Sequence, residues 1–196
     1  MLSLRSGANR IDNQNLSVAE SNTEFDLVKQ ANEGDKYAFR ALFDQNSSRV
    51  YAFCLRLSAN VDTAQELTQD TFIKAWEKLD SFRFQSKFST WLHSIAMNEF
   101  LMYKRSRKRF FSRFVQTEDV LQYERLNETA SRSHGENIDI ERAISRLPRQ
   151  ARTVFVMHDI QGYQHNEISE LINIQIGTSK AHLHRARKLL REELIK

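Results

Sequence analysis

The sequence predicts an all-α protein with two small helical domains joined by a flexible linker. Turn residues are scarce, with 5 Gly and 1 Pro in 196 residues, fewer than a β-rich chain needs for its hairpins. Apolar residues recur at spacings of three and four in two separate blocks, as they do on the inner face of amphipathic helices. The stretch between the blocks is polar, acidic and poor in apolar residues, which is the composition of a linker.

The first block is predicted to contain four helices after a mobile polar tail, residues 1–23. These helices run from Phe25 to a break at Gly34-Asp35, from about Lys36 to Ser58, from Asp62 through Trp76, and from Trp91 to about Arg109. Asp62 suits the N-cap of the third helix because its carboxylate can accept the free N–H groups of the first turn. Residues 80–90 are predicted to form a loop.

The second block begins at Ile138, where an apolar stripe that reaches Leu147 predicts a helix. Pro148 then suits the first turn of a new helix, because its missing N–H costs nothing there. That helix is expected to stop at Gly162.

Residues 166–193 are predicted to form two short helices joined by a tight turn. Asn173 falls where the first helix must end, and asparagine tolerates the left-handed conformation of a helix C-cap. Ile174 and Ile176 are expected to plug the turn, and Gly177-Thr178 to open the second helix. The outer face of that helix carries Lys180, His182, His184, Arg185, Arg187 and Lys188, and its inner face carries Leu183, Ala186, Leu189 and Leu190. This pattern is typical of a DNA-binding helix-turn-helix; the alternative is a solvated basic face on a helical hairpin.

Positive charge is concentrated in the middle of the chain. Residues 81–113 carry 8 Lys and Arg against 1 acidic residue, and the segments on either side are acidic. Charge segregated in this way indicates a polyanionic partner more strongly than the net charge of +4 does.

Aromatic residues alternate with cations in the segment from Ser81 to Trp91. Aromatic rings give unpaired bases a flat surface to stack on and cations follow the phosphate backbone, so this composition favours single-stranded DNA. Phe84 and Lys87, near the apex of the loop, are predicted to contact DNA, where a pocket could hold a base swung out of the stack. Trp91 is predicted to belong to the core. For Phe82 and Phe88, burial in the core is the alternative to a contact with DNA.

Several other classes of function are not supported by the residues. Cys54 is the single cysteine and is expected to be a buried small hydrophobe, so no disulfide and no secreted protein are predicted. The N-terminus lacks the apolar segment of a signal peptide and no run approaches a membrane span, which favours a reducing cytoplasm. His182 and His184 are spaced poorly for one metal ion. We find no motif for an enzyme or a cofactor.

The two blocks resemble the extracytoplasmic-function (ECF) branch of the bacterial RNA polymerase sigma factors. The segment from Asp62 to Trp76 is similar to the part of region two that docks on core polymerase, and Phe88 to Asn98 is similar to its melting segment. The segment from Leu147 to Arg187 is similar to region four. The resemblance implies a tail (1–23), a region-two domain (24–112), a linker (113–137) and a region-four domain (138–196).

The resemblance also implies partners and residue roles. Contacts to the clamp coiled coil of the polymerase β′ subunit are implied for Gln65, Gln69, Asp70, Phe72 and Trp76. Contacts to the opened minus-ten strand are implied for Phe84, Gln85, Ser86, Lys87, Phe88, Ser89, Asn98, Lys104, Arg105 and Arg107. Contacts to the minus-thirty-five duplex are implied for Arg152, Thr178, Ser179, Lys180, Ala181, His184, Arg185 and Arg187. Members of the family also contact the flap of the β subunit and often work under an anti-sigma factor.

The chain departs from the family pattern at positions that bear on sequence preference. Met102 stands where the family often has Asp, and Ser179, Ala181 and His182 replace a usual Val, Ser and Arg. Gln164 stands where a Ser often caps the helix. Base contacts set sequence preference, so the promoter sequence stays open. The alternative function is a stand-alone helix-turn-helix regulator, which leaves the first block unexplained.

Overall fold

A computed structural model of the chain describes residues 23–114 and 138–195. Within these ranges the regular elements are all helical, which confirms the predicted fold class. They are α1 (Glu24–Asn32), α2 (Lys36–Ser58), α3 (Val61–Glu77), a 3₁₀ turn (Leu79–Ser81), α4 (Phe88–Phe114), α5 (Ile138–Ser145), α6 (Arg149–Phe155), a π-helical turn (Val156–Ile160), α7 (His165–Ile172) and α8 (Ile176–Leu194). The predicted tail and linker lie outside the described residues, apart from residues 23, 113 and 114.

The first four helices form a bundle in which α2 packs against α1, α3 and α4. Leu42, Cys54 and Leu57 of α2 are completely buried, as is Leu92 of α4. Burial raises the pKa of the Cys54 thiol to about 12, so this cysteine behaves as a small core hydrophobe, as predicted.

The connections of this bundle are short because helix caps follow one another directly. Gly34 has a φ of 98°, a left-handed conformation that glycine adopts without steric cost, and the Asp35 carboxylate then accepts the Tyr37 N–H at 2.8 Å. Ala59 closes α2 at a φ of 53°. Only Asn60 remains before α3, and its side-chain oxygen accepts the Thr63 N–H at 2.8 Å.

The prediction that Asp62 caps α3 is therefore wrong. The left-handed Ala59 reverses the chain early, so α3 begins at Val61 and Asp62 lies exposed within its first turn. A carboxylate in that position interacts with the positive end of the helix dipole without satisfying a cap.

Helix α4 begins three residues before the predicted start, at Phe88, and extends to Phe114. Its first turn is capped from a distant part of the chain, because the Phe88 N–H donates to the Glu24 carboxylate of α1 at 3.1 Å. This contact links the beginning of α1 to the end of the loop formed by residues 82–87.

The C-terminal helices form a second cluster, in which α8 packs on α5, α6 and α7. Asn173 ends α7 with a φ of 54° and a ψ of 60°, which confirms the predicted left-handed C-cap. Pro148 occupies the N-cap, one position before the first helical residue of α6. Ile176 is 46% exposed and does not plug the turn as predicted, because α8 starts at this residue and directs it outward; Ile174 is half-buried against the core.

The two helical clusters contact each other through α2, which touches both α5 and α6. The Arg56 Nε donates to both carboxylate oxygens of Glu141, at 3.0 and 3.1 Å. The Arg152 guanidinium donates to the Ser58 carbonyl at 3.3 Å. Both Arg56 and Glu141 are about one-quarter exposed, so this ion pair is partly shielded from solvent.

We expect the Asn60→Ala variant to lower the free energy of unfolding by about 1 kcal/mol, because it removes the N-cap of α3. The Asp62→Ala control should cost about 0.3–0.5 kcal/mol, since Asp62 contributes through the helix dipole alone. Urea unfolding followed by circular dichroism measures both. A larger loss for Asp62→Ala than for Asn60→Ala would show that Asp62 is the cap after all.

Candidate nucleic-acid interface

The loop between α3 and α4 exposes an aromatic ring at its apex. Phe84 has a φ of 56°, a conformation that is uncommon for residues other than glycine, and its side chain is 46% exposed. Phe82 lies beneath it with the ring centroids 4.9 Å apart and is itself buried. The loop therefore rests on the core through Phe82 and presents Phe84 to solvent.

Polar and cationic side chains surround this ring. Gln85, Ser86 and Lys87 are exposed, as a contact with DNA would require, and Ser89 is half-buried at the start of α4. Arg83 is also exposed and was not among the predicted contacts. The signal for Arg83 was present in the sequence, since it stands between two aromatic residues in the alternating segment.

Phe88 does not belong to this surface, contrary to the prediction. It is completely buried and packs against Phe82 and Trp91 with centroid separations of 5.6 and 5.5 Å. Because Phe88 opens α4 on the side that faces the bundle, it supports the loop from below. Trp91 is half-buried beside Phe82 and contributes to the same core.

Helix α4 continues the polar surface beyond the loop. Asn98 and Arg105 are exposed and lie seven residues apart, which places them on one face of the helix. Lys104 and Arg107 are half-buried: the Lys104 ammonium lies 5.5 Å from the centre of the Phe100 ring, and Arg107 donates to the Tyr103 hydroxyl at 2.9 Å. Aromatic neighbours therefore hold these two cations close to the helix.

An acidic helix faces this part of α4 across a cleft. The cleft is lined by Lys78, Asn98, Glu99, Leu101, Met102 and Arg105 on one side and by Tyr163, Glu167, Glu170 and Leu171 on the other. The Glu167 and Glu170 side chains of α7 therefore lie across from Arg105, where a DNA phosphate would also be attracted.

The helix-turn-helix formed by α7 and α8 has the predicted basic outer face. Thr178, Lys180, Ala181, His184 and Arg185 are exposed near the N-terminal end of α8. Leu183, Ala186 and Leu190 are buried on the opposite face. This end of the second helix is the part that enters the major groove in proteins of this architecture.

Two residues predicted to contact the minus-thirty-five duplex are buried instead. Ser179 is fully buried, and its hydroxyl lies 2.9 Å from the His165 Nδ1, so it joins α8 to α7. Arg152 is 2% exposed, and its guanidinium donates to the Ser145 carbonyl at 2.8 Å. In both cases packing directs the side chain inward.

Arg187 is exposed but engaged in a bidentate ion pair with Asp159. Its Nε and Nη2 donate to the two carboxylate oxygens at 2.8 and 2.7 Å. These hydrogen bonds hold the pKa of Asp159 below its usual value. The Asp159 Oδ1 also lies 2.8 Å from the His158 Nδ1. The His158 ring stacks on the His165 ring with their centroids 4.6 Å apart. Burial and the neighbouring His158, Lys180 and Arg187 lower the pKa of His165.

The residues predicted to dock on polymerase occupy two faces of α3. Gln65 and Gln69 are exposed and Asp70 is half-buried. Phe72 is buried, with its ring 4.7 Å from that of Phe43, so it supports the surface from within. Trp76 is 37% exposed and lies 4.9 Å from the Phe39 ring.

Comparisons with known proteins match both helical clusters. The Sigma-70 region 2 family matches residues 42–110, and the Sigma-70 region 4 family matches residues 138–190. No described helix is long and apolar enough to cross a membrane.

Individual relatives extend over most of the chain. It is 35% identical over 178 residues to the ECF RNA polymerase sigma factor SigW of Bacillus subtilis, covering 85% of this chain and 94% of the relative. It is 27% identical to the ECF RNA polymerase sigma-E factor of Haemophilus influenzae, covering 90% and 98%. The structure is similar to that of the Bartonella quintana sigma factor RpoE, crystallised with the anti-sigma factor NepR, with a TM-score of 0.54, 27% identity, and 80% and 96% coverage.

We expect the Asp159→Asn variant to lower the melting temperature at pH 7 by about 2 °C, the size of effect typical of an exposed ion pair. Because the folded-state pKa of Asp159 is depressed, its contribution exists above the unfolded pKa and disappears as pH falls through the folded value. The difference between variant and wild type should therefore shrink below about pH 4. Differential scanning calorimetry from pH 7 to pH 3 measures it, and a difference independent of pH would contradict the assignment.

Proposed function

Because the chain belongs to the ECF sigma factors, which are transcription initiation factors of bacterial RNA polymerase, we propose that it joins core polymerase and directs it to specific promoters. The observation that carries this proposal is the presence, on one chain, of an aromatic loop suited to unpaired DNA and a helix-turn-helix suited to duplex DNA. The stand-alone regulator interpretation leaves the aromatic loop without a role. In this proposal core polymerase performs the chemistry and the chain is not an enzyme.

Opening of the minus-ten element is assigned to the loop and to α4. The exposed Phe84 offers a stacking surface, and Gln85, Ser86 and Lys87 surround it with hydrogen-bonding groups and positive charge. Unstacking a base costs a few kcal/mol, and stacking on an aromatic side chain recovers about 1–3 kcal/mol per base. Single-strand contacts further along α4 are assigned to Ser89, Asn98, Lys104, Arg105 and Arg107.

Reading of the minus-thirty-five element is assigned to the exposed residues at the beginning of α8. Lys180, Ala181, His184 and Arg185 face the bases, and Thr178 contacts phosphate. Arg187 contacts phosphate once its pair with Asp159 opens. Arg152 and Ser179 are removed from the set because they are buried and hydrogen-bonded within the domain.

Docking on the polymerase is assigned to the exposed side of α3. Gln65, Gln69, Asp70 and Trp76 contact the clamp coiled coil of the β′ subunit, and Phe72 supports them from the core. The helix-turn-helix domain lies near the flap of the β subunit. The proposed domains keep the boundaries expected from the sequence, with region two at 24–112 and region four at 138–196.

An anti-sigma factor is the proposed regulator, and the proposed compartment is the cytoplasm. Support for the regulator comes from the similar RpoE structure, which contains the anti-sigma factor NepR. Such a partner would act by covering the docking surface on α3.

The opened strand is proposed to bind α4 only after the two domains have separated at the cleft between α4 and α7. In the structure Glu167 and Glu170 of α7 lie across from Arg105, so they repel phosphate from that part of α4. Binding of the chain to core polymerase would move the two domains apart and expose α4. DNA binding by α4 would then depend on assembly of the chain with the polymerase.

We expect the Arg185→Ala variant, assembled with core polymerase, to reduce promoter-dependent transcription about tenfold or more, because a side chain that contacts bases contributes about 1–3 kcal/mol. Arg146→Ala is a matched control, since it removes the same charge from the same domain at the residue that follows α5, where Arg146 pairs with Glu193. Reconstituted transcription across a library of candidate promoters measures both. No promoter-dependent transcript with wild type would refute the proposal, and operator binding by a dimer of the chain alone would favour a stand-alone regulator.

We expect the Arg56→Ala variant to separate the two domains, because it leaves Glu141 without its bidentate partner. Fluorescence energy transfer between dyes on α3 and α7 should fall, and binding of a single-stranded oligonucleotide by the free chain should rise about twofold to tenfold as α4 is exposed. Arg49→Ala is the control, because Arg49 is an exposed arginine of the same helix. Unchanged energy transfer in Arg56→Ala would show that the ion pair does not hold the domains together.

A further inference from the structure

A second aromatic ring lies beside the loop that we assign to the unpaired strand, and it comes from α1. The Phe25 side chain is 55% exposed, and its ring centroid is 4.7 Å from that of Phe84, with an angle of 44° between the planes. An exposed phenylalanine in the first turn of a helix contributes little to the core. The two rings together form an exposed aromatic surface, which we call the Phe25–Phe84 platform.

The position of Phe25 relative to the loop is held from both sides. Leu27 and Val28 anchor α1 in the core. The preceding residue, Glu24, accepts the Phe88 N–H at 3.1 Å, so the first turn of α1 is attached to the first turn of α4. The start of α4, where the loop ends, and the start of α1 therefore form one unit, and Phe25 is preorganised beside Phe84.

The charge around the platform is suited to a nucleic acid. Arg83 and Lys87, the two cations of the loop, are both exposed and lie on either side of Phe84 in the chain. Exposed aromatic rings flanked by cations are the features that bind single-stranded DNA, with bases on the rings and phosphates on the cations. A single ring can stack on one base, whereas two adjacent rings can stack on two.

We infer that Phe25 is a contact for the unpaired DNA strand, and that the Phe25–Phe84 platform stacks two bases where the loop alone would stack one. This inference rests on the proposed role of the loop and extends the single-strand site onto α1. Phe84 receives the base that is swung out of the duplex, and Phe25 receives an unpaired neighbour of that base.

The test uses the full chain assembled with core polymerase and a fork-junction DNA that has one strand exposed across the minus-ten region. The fluorescent base 2-aminopurine is placed at each unpaired position in turn, because stacking on an aromatic ring changes its emission. We expect two positions to respond with wild type. One response should disappear in Phe25→Ala and the other in Phe84→Ala, and Phe25→Ala should weaken binding of the fork about tenfold.

Two further variants separate stacking of a base from support of the loop. Phe25→Leu keeps an apolar contact with Phe84 but removes the flat ring, so it should bind as weakly as Phe25→Ala, whereas Phe25→Trp should bind at least as well as wild type. The salt dependence of binding gives an independent measure. Phe25→Ala should leave the slope of log K against log salt concentration unchanged, and Lys87→Ala should reduce its magnitude by about 0.7–1.

The outcomes distinguish this inference from the proposed function. One outcome would overturn the inference and leave the role of the loop intact. In that outcome wild type binds the fork, Phe84→Ala loses a fluorescence response, and Phe25→Ala has no effect. Loss in Phe25→Ala with full binding by Phe25→Leu would also overturn it, because Phe25 would then only support the loop. If Phe84→Ala and Phe25→Ala both bind and respond as wild type does, the role of the loop fails together with the inference.

Discussion

Burial of the apolar side of α2 positions the helices of both clusters. This helix packs against α1, α3 and α4 in its own bundle and against α5 and α6 of the second cluster. Five of its side chains, Leu42, Val50, Phe53, Cys54 and Leu57, are no more than 1% exposed. Apolar burial stabilises by about 25 cal/mol per Å², so the neighbours of α2 are placed where they can share this surface, and the functional side chains follow from that placement.

The surfaces proposed to bind DNA arise where this packing leaves aromatic and cationic residues outside. Phe82 is buried and Phe84 is exposed, although both belong to the same short alternation of aromatic and basic residues. The left-handed conformation of Phe84 turns its ring outward, where Phe25 of α1 meets it. In the helix-turn-helix, Ser179 joins α8 to α7, which leaves Lys180 and its exposed neighbours on the outer face of α8.

Opposite charges connect the two halves of the molecule. Arg56 pairs with Glu141, and the acidic residues of α7 lie across the cleft from Arg105. The Arg56–Glu141 pair is a direct contact, whereas Arg105 and the acidic residues of α7 line opposite sides of a cleft. In the proposed function, separation of these charges exposes α4 to promoter DNA after the chain has joined the polymerase.

Residue patterns along the chain were enough to predict the helical class, the two blocks, the extent of α2, the left-handed cap at Asn173 and the family. These features depend on residues close together in the chain, since helical periodicity and caps are local. The tertiary structure alone decided which side chains of each motif face outward, as Phe88, Ser179 and Arg152 show. It also decided the cap that Glu24 provides for α4, the ion pair between Arg56 and Glu141, and the contact of Phe25 with Phe84. These contacts join residues about 60 or more positions apart, and no local pattern can specify them because they depend on how the helices pack.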